Sequence, residues 1–403
     1  MLHSDALRAI AEKIRTSTAV SAAIIFLGLL LGYMHRQRFP MYAIIFLSIF
    51  LSGLLSAHST KRASWLLHNV AFVFLALAIT ELFLEFNKTD DHAANPHVMQ
   101  SQDGLGYVGR RGVFRAVKTY GFGTRLVYDV EYSMPNGWRV TPDSLKNDGP
   151  TVMFFGDSFT FGDGVNDDET LPNAFSILSG MRAVNFGLSG WGPHHMLRLF
   201  ELDIPKKTES SSPSLMVYTA IDDHIGRAAG HAAWDPNGPL YAIQNGHAQN
   251  VGSFSENNVT CHPLIVRKSV IKKLLLESRI WRAYIGFDVD HCPAAPEDLL
   301  RDRTRFLEIV KAANLIAQQK YGCHLVVILW DVNASDHAKQ NMDWVESNLL
   351  QNDIPTLRLS SAIKNTDFKS WILRDYHPTP RAYREVAQTL LSWLKENPTL
   401  AQR

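Results

Sequence analysis

Cysteine is scarce: the chain carries three in 403 residues, Cys261, Cys292 and Cys323. They form neither a CxxC pair nor a metal-ligand spacing, so zinc and dithiol redox chemistry find no support. An excess of one charge is lacking too, since 40 Lys and Arg against 39 Asp and Glu leave a net +1. That excludes a general field drawing the chain to nucleic acid; any such attraction would need a local patch. The first apolar run has no small-residue cleavage site after it, which argues against a removable signal peptide.

What the chain does have is apolar length near its start. Residues 18–34 and 41–57 are nearly free of charge, and 66–86 is strongly apolar with Glu81 and Glu85 near its end. Each approaches the ~20 residues that cross a bilayer as a helix, so three transmembrane helices are expected within a membrane region of 1–89. His68, Asn69 and Glu81 in the third run are costly in lipid unless they meet other helices. Arg8, Lys13 and Arg15 precede the first run and Lys61 and Arg62 separate the second from the third. The positive-inside bias then puts the N-terminus in the cytoplasm and the rest of the chain outside, on the periplasmic side of a bacterial inner membrane. In that compartment Cys261 and Cys292 could pair, leaving Cys323 buried.

Residues 87–104 are polar and aperiodic and read as a linker within a 90–149 segment. After them "RAVKTY", "TRLVYDVEYSM" and "WRVTP" alternate around Gly121, Gly123 and Asn136-Gly137, the pattern of a small antiparallel β element. From residue 150 the pattern changes. "TVMFF", "RAVNF", "SLMVYTA", "CHLVVILW" and "TLRL" are short continuous apolar runs, as in strands covered on both faces, with helical stretches between them. Over the last of these, Thr379 can cap and Pro380 suits the first turn, while Val386, Ala387, Leu390, Leu391 and Leu394 share a face. The expected architecture of 150–403 is a three-layer α/β domain on a flavodoxin-like parallel sheet. A segment at about 222–302 interrupts the alternation and reads as an insertion over the strand ends, a candidate lid with a helix at 266–284.

Reactive groups in such sheets collect at the carboxyl ends of the strands. The first strand ends in Gly156-Asp157-Ser158, the second in "NFGLSGWG", the third in "YTAIDDHI" with Asp222, Asp223 and His224, and "DYHP" with Asp375 and His377 stands before the final helix. Serine, backbone donors, acids and histidine thus converge on one rim. A serine hydroxyl needs a base to take its proton, and a histidine oriented by a carboxylate supplies one. A metal-dependent phosphoesterase built on Asp157, Asp222, Asp223, His224 and His377 would need a compact ligand spacing, which they lack. Trp191, His194 and His195 read as rim or packing residues, with Trp191 also able to stack on a sugar, and Asp331 reads as a helix cap.

These four blocks resemble those of the SGNH or GDSL-type serine esterases, in order and in position at strand ends, over about 152–394. The resemblance implies an SGNH hydrolase-like fold with Ser158 as nucleophile, His377 as general base and Asp375 as the acid orienting it. It also implies the amides of Ser158 and Gly190 as oxyanion donors, with Asp222 at the family's third donor position. That position usually holds asparagine, and an ionised aspartate cannot donate. In familiar members the triad acid stands three residues before the histidine, where this chain has Arg374, which cannot accept the imidazole proton; Asp375 stands two before. The implied activity is hydrolysis of acyl esters, foremost O-acetyl groups on envelope carbohydrate, through an acyl-serine and with no cofactor. An O-acyltransferase, an acylated lipid substrate or a catalytically weak carbohydrate-binding or assembly protein are the alternatives.

Overall fold

The computed structural model of the chain describes residues 98–120, 124–209, 211–259, 298–332, 334–363 and 370–400, the backbone of 89–93, and helical positions among 69–84. The chain divides into two compact units, Met1–Lys88 with Pro263–Asp288, and Thr89–His262 with Val289–Arg403. Among the described residues no helix is long and apolar enough to cross a membrane. The expected spans at 18–34 and 41–57 lie outside the described residues, as do Cys261, Cys292 and the expected helix at 266–284, and the span at 66–86 is described only in part. Glu81 of that third run is fully buried.

The second unit begins with strands. β1 (Thr89–Ala93), β2 (Met99–Gln102), β3 (Gly106–Gly109), β4 (Gly112–Tyr120) and β5 (Arg125–Met134) form an antiparallel β1-β4-β5 sheet and a separate β2-β3 hairpin. The stretch expected to be a linker therefore carries β1 and β2. Its residues are polar because an edge strand such as β1 is held by its ladder with β4 (Asp90↔Thr119) rather than by an apolar pattern. The strand expected at 138–142 is absent. Its alternation arises because Arg139 turns inward as a buried clamp, not from a pleat.

The main sheet follows: β6 (Thr151–Phe155), β7 (Arg182–Asn185), β8 (Pro213–Ala220), the hairpin β9 (Pro239–Gln244) and β10 (His247–Ser253) outside the sheet, then β11 (His324–Leu329) and β12 (Thr356–Arg358). Its order is β12-β11-β8-β6-β7, parallel throughout, with Met153 beside Val184 and Met216. This is the flavodoxin-like order expected, and it places the topological switch at β6, between β7 and β8.

The main helices that cover the sheet or its rim are α1 (Ser158–Phe161), α2 (Leu171–Ser179), α3 (Pro193–Glu201), α4 (Asp223–Ala228), α5 (Leu299–Ile316), α6 (Asp336–Gln351) and α7 (Pro380–Glu396). Alternate strand residues face opposite layers. Val152, Phe154, Leu215, Val217, Val326 and Ile328 pack under α2 and α7, while Met153, Phe155, Met216, Tyr218, Leu325 and Val327 pack under α3, α5 and α6. Each large side chain fully buried there contributes about 1.5–3 kcal/mol. Thr379 caps α7 by accepting from the Ala382 N–H (3.3 Å), and Pro380 fills its first turn.

Candidate active site

Strand β6 stops at Gly156, whose φ is +151°, and a Cβ there would press on the Thr160 hydroxyl and lie 3.0 Å from the Thr219 carbonyl oxygen. Only glycine makes this turn without strain, so the next two residues leave the sheet edge at a set angle. Asp157 caps α1 by accepting from the Phe159 N–H (2.9 Å), and Ser158 opens the helix with 8% of its surface exposed.

Asp375 and His377 come from a tight loop before α7, closed by the Leu373 N–H donating to the His377 carbonyl (2.7 Å). Tyr376 between them is exposed and has φ +71°, a left-handed conformation that costs a non-glycine residue about 1–3 kcal/mol. The loop directs His377 Nδ1 to Asp375 Oδ2 at 3.1 Å. Lys118 of β4 sets its ammonium 3.2 Å from the same oxygen. Burial alone would raise the Asp375 pKa, but the hydrogen bond and charge of His377, together with Lys118, bring it down to about 2. On the imidazole, burial opposes the charged form, yet the bond to Asp375 and the charges of Asp163 and Asp375 outweigh it and hold His377 above the ordinary histidine value.

The His377 ring lies 6.0 Å from the Phe159 ring, next in sequence to Ser158. Its Nε2, however, faces Asp163 Oδ2 at 3.7 Å, and that oxygen accepts from the Ser189 hydroxyl (2.7 Å). Among the described residues no hydrogen bond joins Ser158 Oγ to His377. The imidazole must turn from Asp163 toward Ser158 to act on it, and catalytic bonds of this kind often tighten only with substrate present.

The loop after β7 lies against the β6 turn, with the Leu188 N–H donating to the Gly156 carbonyl (3.2 Å). In it the Tyr107 hydroxyl donates to the Ser189 carbonyl (3.0 Å) and Trp234 Nε1 donates to the Gly190 carbonyl (3.2 Å). A trans peptide points its C=O and N–H in opposite directions, so holding the Ser189 carbonyl sets the direction of the Gly190 N–H. Among the described residues neither the Ser158 nor the Gly190 N–H has a protein acceptor. Asp222, at the expected third donor position, has one carboxylate oxygen engaged. Its Oδ1 accepts from Asn341 Nδ2 of α6 (2.7 Å), and burial raises its pKa.

Beneath the rim, Asp157 Oδ2 meets Arg227 Nη1 at 2.8 Å and His224 Nε2 at 3.2 Å, and the same Arg227 nitrogen donates to the Trp191 carbonyl (2.9 Å). Burial opposes the Asp157 charge, but His224 and Arg227 overcome it, so this carboxyl titrates well below the usual range. Burial keeps His224 neutral, and with the Tyr218 hydroxyl donating to Nδ1 (2.7 Å) its Nε2 proton faces Asp157. The phosphoesterase set is thus dispersed: Asp157 is neutralised by Arg227, Asp222 is held by Asn341, and His377 is engaged by Asp375.

His194 and His195 are fully buried and turn Nε2 toward Asp235 Oδ2 at 3.2 and 3.4 Å, near enough together to hold an ion. The Gly192 N–H donates to His195 Nδ1 (3.2 Å), which in a neutral ring leaves the proton on Nε2, the atom that an ion would need bare. His194 is hydrogen-bonded to Asp235, and His195 stands beside the same oxygen. Trp191, stacked on His195 at 4.9 Å, is buried and has no face for a sugar. Asp331 accepts from the Ser360 N–H (3.0 Å), capping a short helical turn distant in sequence, and from Arg358 (2.6 Å).

Asp163 shares the "GDSFTFGDG" string with Ser158, so its nearness to the nucleophile was open to reading. Lys118, Tyr107 and Arg227 carried no such signal, because long-range contacts alone give them a role.

No protein-family model matches the chain, and no curated protein matches it. Among solved structures it is similar to a lipolytic protein of the G-D-S-L family from Desulfitobacterium hafniense DCB-2, at 13% identity, with 60% of this chain and 98% of that one covered and a TM-score of 0.35. It is also similar to the psychrotrophic esterase EstA from Pseudoalteromonas (11%, 62% and 98%, TM-score 0.33). AlinE4, an SGNH-hydrolase family esterase, is a third (12%, 62% and 97%, TM-score 0.31). Likenesses this shallow leave the activity to be argued from the site.

Proposed function

We propose that the chain is a serine ester hydrolase of the SGNH or GDSL type. The observation that carries this is the Asp375–His377 pair (3.1 Å) beside the turn that presents Ser158. His377 Nε2 takes the Ser158 proton as Oγ attacks the ester carbonyl, and the amides of Ser158 and Gly190 donate hydrogen bonds to the oxyanion that forms on the carbonyl oxygen. His377 then passes its proton to the leaving alcohol, giving an acyl-Ser158 and a free alcohol. Water, deprotonated by the same imidazole, releases the acid and restores the hydroxyl; a sugar hydroxyl in place of water would make the protein an O-acyltransferase. Asp375 keeps the imidazole in the productive tautomer and stabilises its charge, a function for which its low pKa fits it.

The proposed substrates are acyl esters, foremost O-acetyl groups, of envelope carbohydrate. The apolar runs at 18–34, 41–57 and 66–86 would tether the chain to the bacterial inner membrane with the site on the periplasmic side. A catalytically weak binding protein is the second reading, favoured by Nε2 facing Asp163 and by Asp222 being given to Asn341. Without a side-chain donor at the third position the oxyanion loses about 2.7–4 kcal/mol of stabilisation. A fluorophosphonate probe separates the two. The esterase is labelled, and Ser158→Ala abolishes labelling and lowers kcat at least about a thousandfold; a chain unlabelled from pH 6 to 10 is the binder.

A further inference from the structure

A groove of about 350 Å³ opens beside the Ser189–Gly190 loop, between the β2-β3 hairpin and the turn at 234–237. Small-molecule sites run from ~300 to 1,000 Å³, so one ring with its substituents is the size of occupant it admits. Trp234 lines it with 37% of its surface exposed. The polar end of that indole is already committed to the Gly190 carbonyl (3.2 Å), and Arg227 lies over the ring at 5.5 Å from its centroid, which fixes its orientation. What the tryptophan offers the groove is an immobilised aromatic surface, complementary to the apolar C–H face of a pyranose.

Around the ring the groove presents amides and a hydroxyl, from Gln100, Ser101 and Asn237, groups able to donate to and accept from sugar hydroxyls. No Lys or Arg is among its described lining residues. Its carboxylate, Asp235, is held by His194 and His195. Asp235 is thus the one ionisable carboxyl or cation among the described lining residues, which favours a neutral polyol over an anion. Gly190 ties the groove to the proposed oxyanion loop. A Cβ at that position would lie 2.6 Å from Trp234 Nε1 and 2.7 Å from the Tyr107 hydroxyl oxygen, so the loop touches both rings only because it is glycine there. A larger cavity of about 580 Å³, lined by Glu201, His247, Lys311 and neighbours, includes neither Tyr107 nor Trp234, the two side chains that hold the Ser189–Gly190 loop.

We propose that this groove is a subsite for a neutral sugar ring stacked on Trp234, and that it presents the ester of that sugar to the Ser189–Gly190 loop. The second half rests on the esterase reading; the binding does not. The test titrates the full chain carrying Ser158→Ala with chitobiose and with cellobiose, read by tryptophan fluorescence and saturation-transfer NMR. Saturable binding of at least one is expected. Trp234→Ala should weaken it at least tenfold, as should Asn237→Leu, which removes the amide from the groove and leaves the indole in place, both with unchanged circular dichroism. The proposal is overturned if neither disaccharide saturates, if both variants bind like the parent, or if glucose 6-phosphate binds more tightly than either. Fluorophosphonate labelling of the chain with its serine intact keeps the two readings apart: labelling without sugar binding removes the subsite alone, and sugar binding without labelling removes the esterase alone.

Discussion

His377 stands between two carboxylates, and their balance decides the pH at which it can take a proton. Asp375 holds Nδ1 at 3.1 Å and Asp163 faces Nε2 at 3.7 Å, with Lys118 opposing both and Arg139 acting on Asp163. Because the folded pKa is raised, the free base becomes available at a higher pH than for an ordinary histidine. Asp163→Asn removes one stabilising charge, so the acid limb of kcat/KM should move to lower pH; an unmoved limb would show that Asp163 does not act on the imidazole. Asp375 has the opposite sign. Its carboxyl falls from 3.8 to about 2 on folding, so the stability it adds is present above 3.8 and disappears as the pH drops toward 2. Asp375→Asn should therefore flatten the acid loss of stability across that window, followed by urea midpoints. The acid–imidazole pair was legible in the sequence because its members lie two residues apart before a capped helix. Asp163 was visible but given no role, since its partner comes from the far end of the chain. Nothing in "RAVKTY" distinguishes Lys118 from any solvated lysine of a strand.

At the scale of elements, the turn that carries Ser158 is held by a residue that precedes the main sheet. Arg139 is buried and donates to Asp167 (2.9 Å) and to the carbonyls of Phe161 (2.9 Å) and Val165 (2.6 Å), with the Tyr132 ring 4.3 Å beneath it. Arg139→Met strips a partly buried ion pair and several buried carbonyls of their partner, and should cost about 3–5 kcal/mol, seen as a lower denaturant midpoint at constant slope. A loss below about 1 kcal/mol would mean that the loop is held by other contacts. The five core strands were readable because burial on both faces leaves an unbroken apolar run. The stretch at 138–142 was misread because a clamp and a pleat produce the same alternation over five residues, and β1 and β2 were missed because backbone pairing leaves no mark in hydropathy.

For the whole molecule, the strand order brings the carboxyl end of β6 to the point where neighbouring connections diverge, and the rim gathers there. That much followed from the order of apolar runs. The unit Thr89–His262 with Val289–Arg403 did not, since the β element packs as part of it rather than as a spacer. The proposed tether has its own test: the full chain should stay in the membrane pellet after alkaline carbonate extraction, and recovery in the supernatant would refute it. Lys118, Tyr107 and Arg139 all precede Thr151, yet they touch the acid, the glycine loop and the nucleophile's turn. The Thr151–Arg403 part is consequently not a portable cassette. Grafted onto another leader it would still lay down its sheet, but without the ammonium, phenol and guanidinium that tune the rim, so any gene fusion that preserves the chemistry must carry the upstream strands with it.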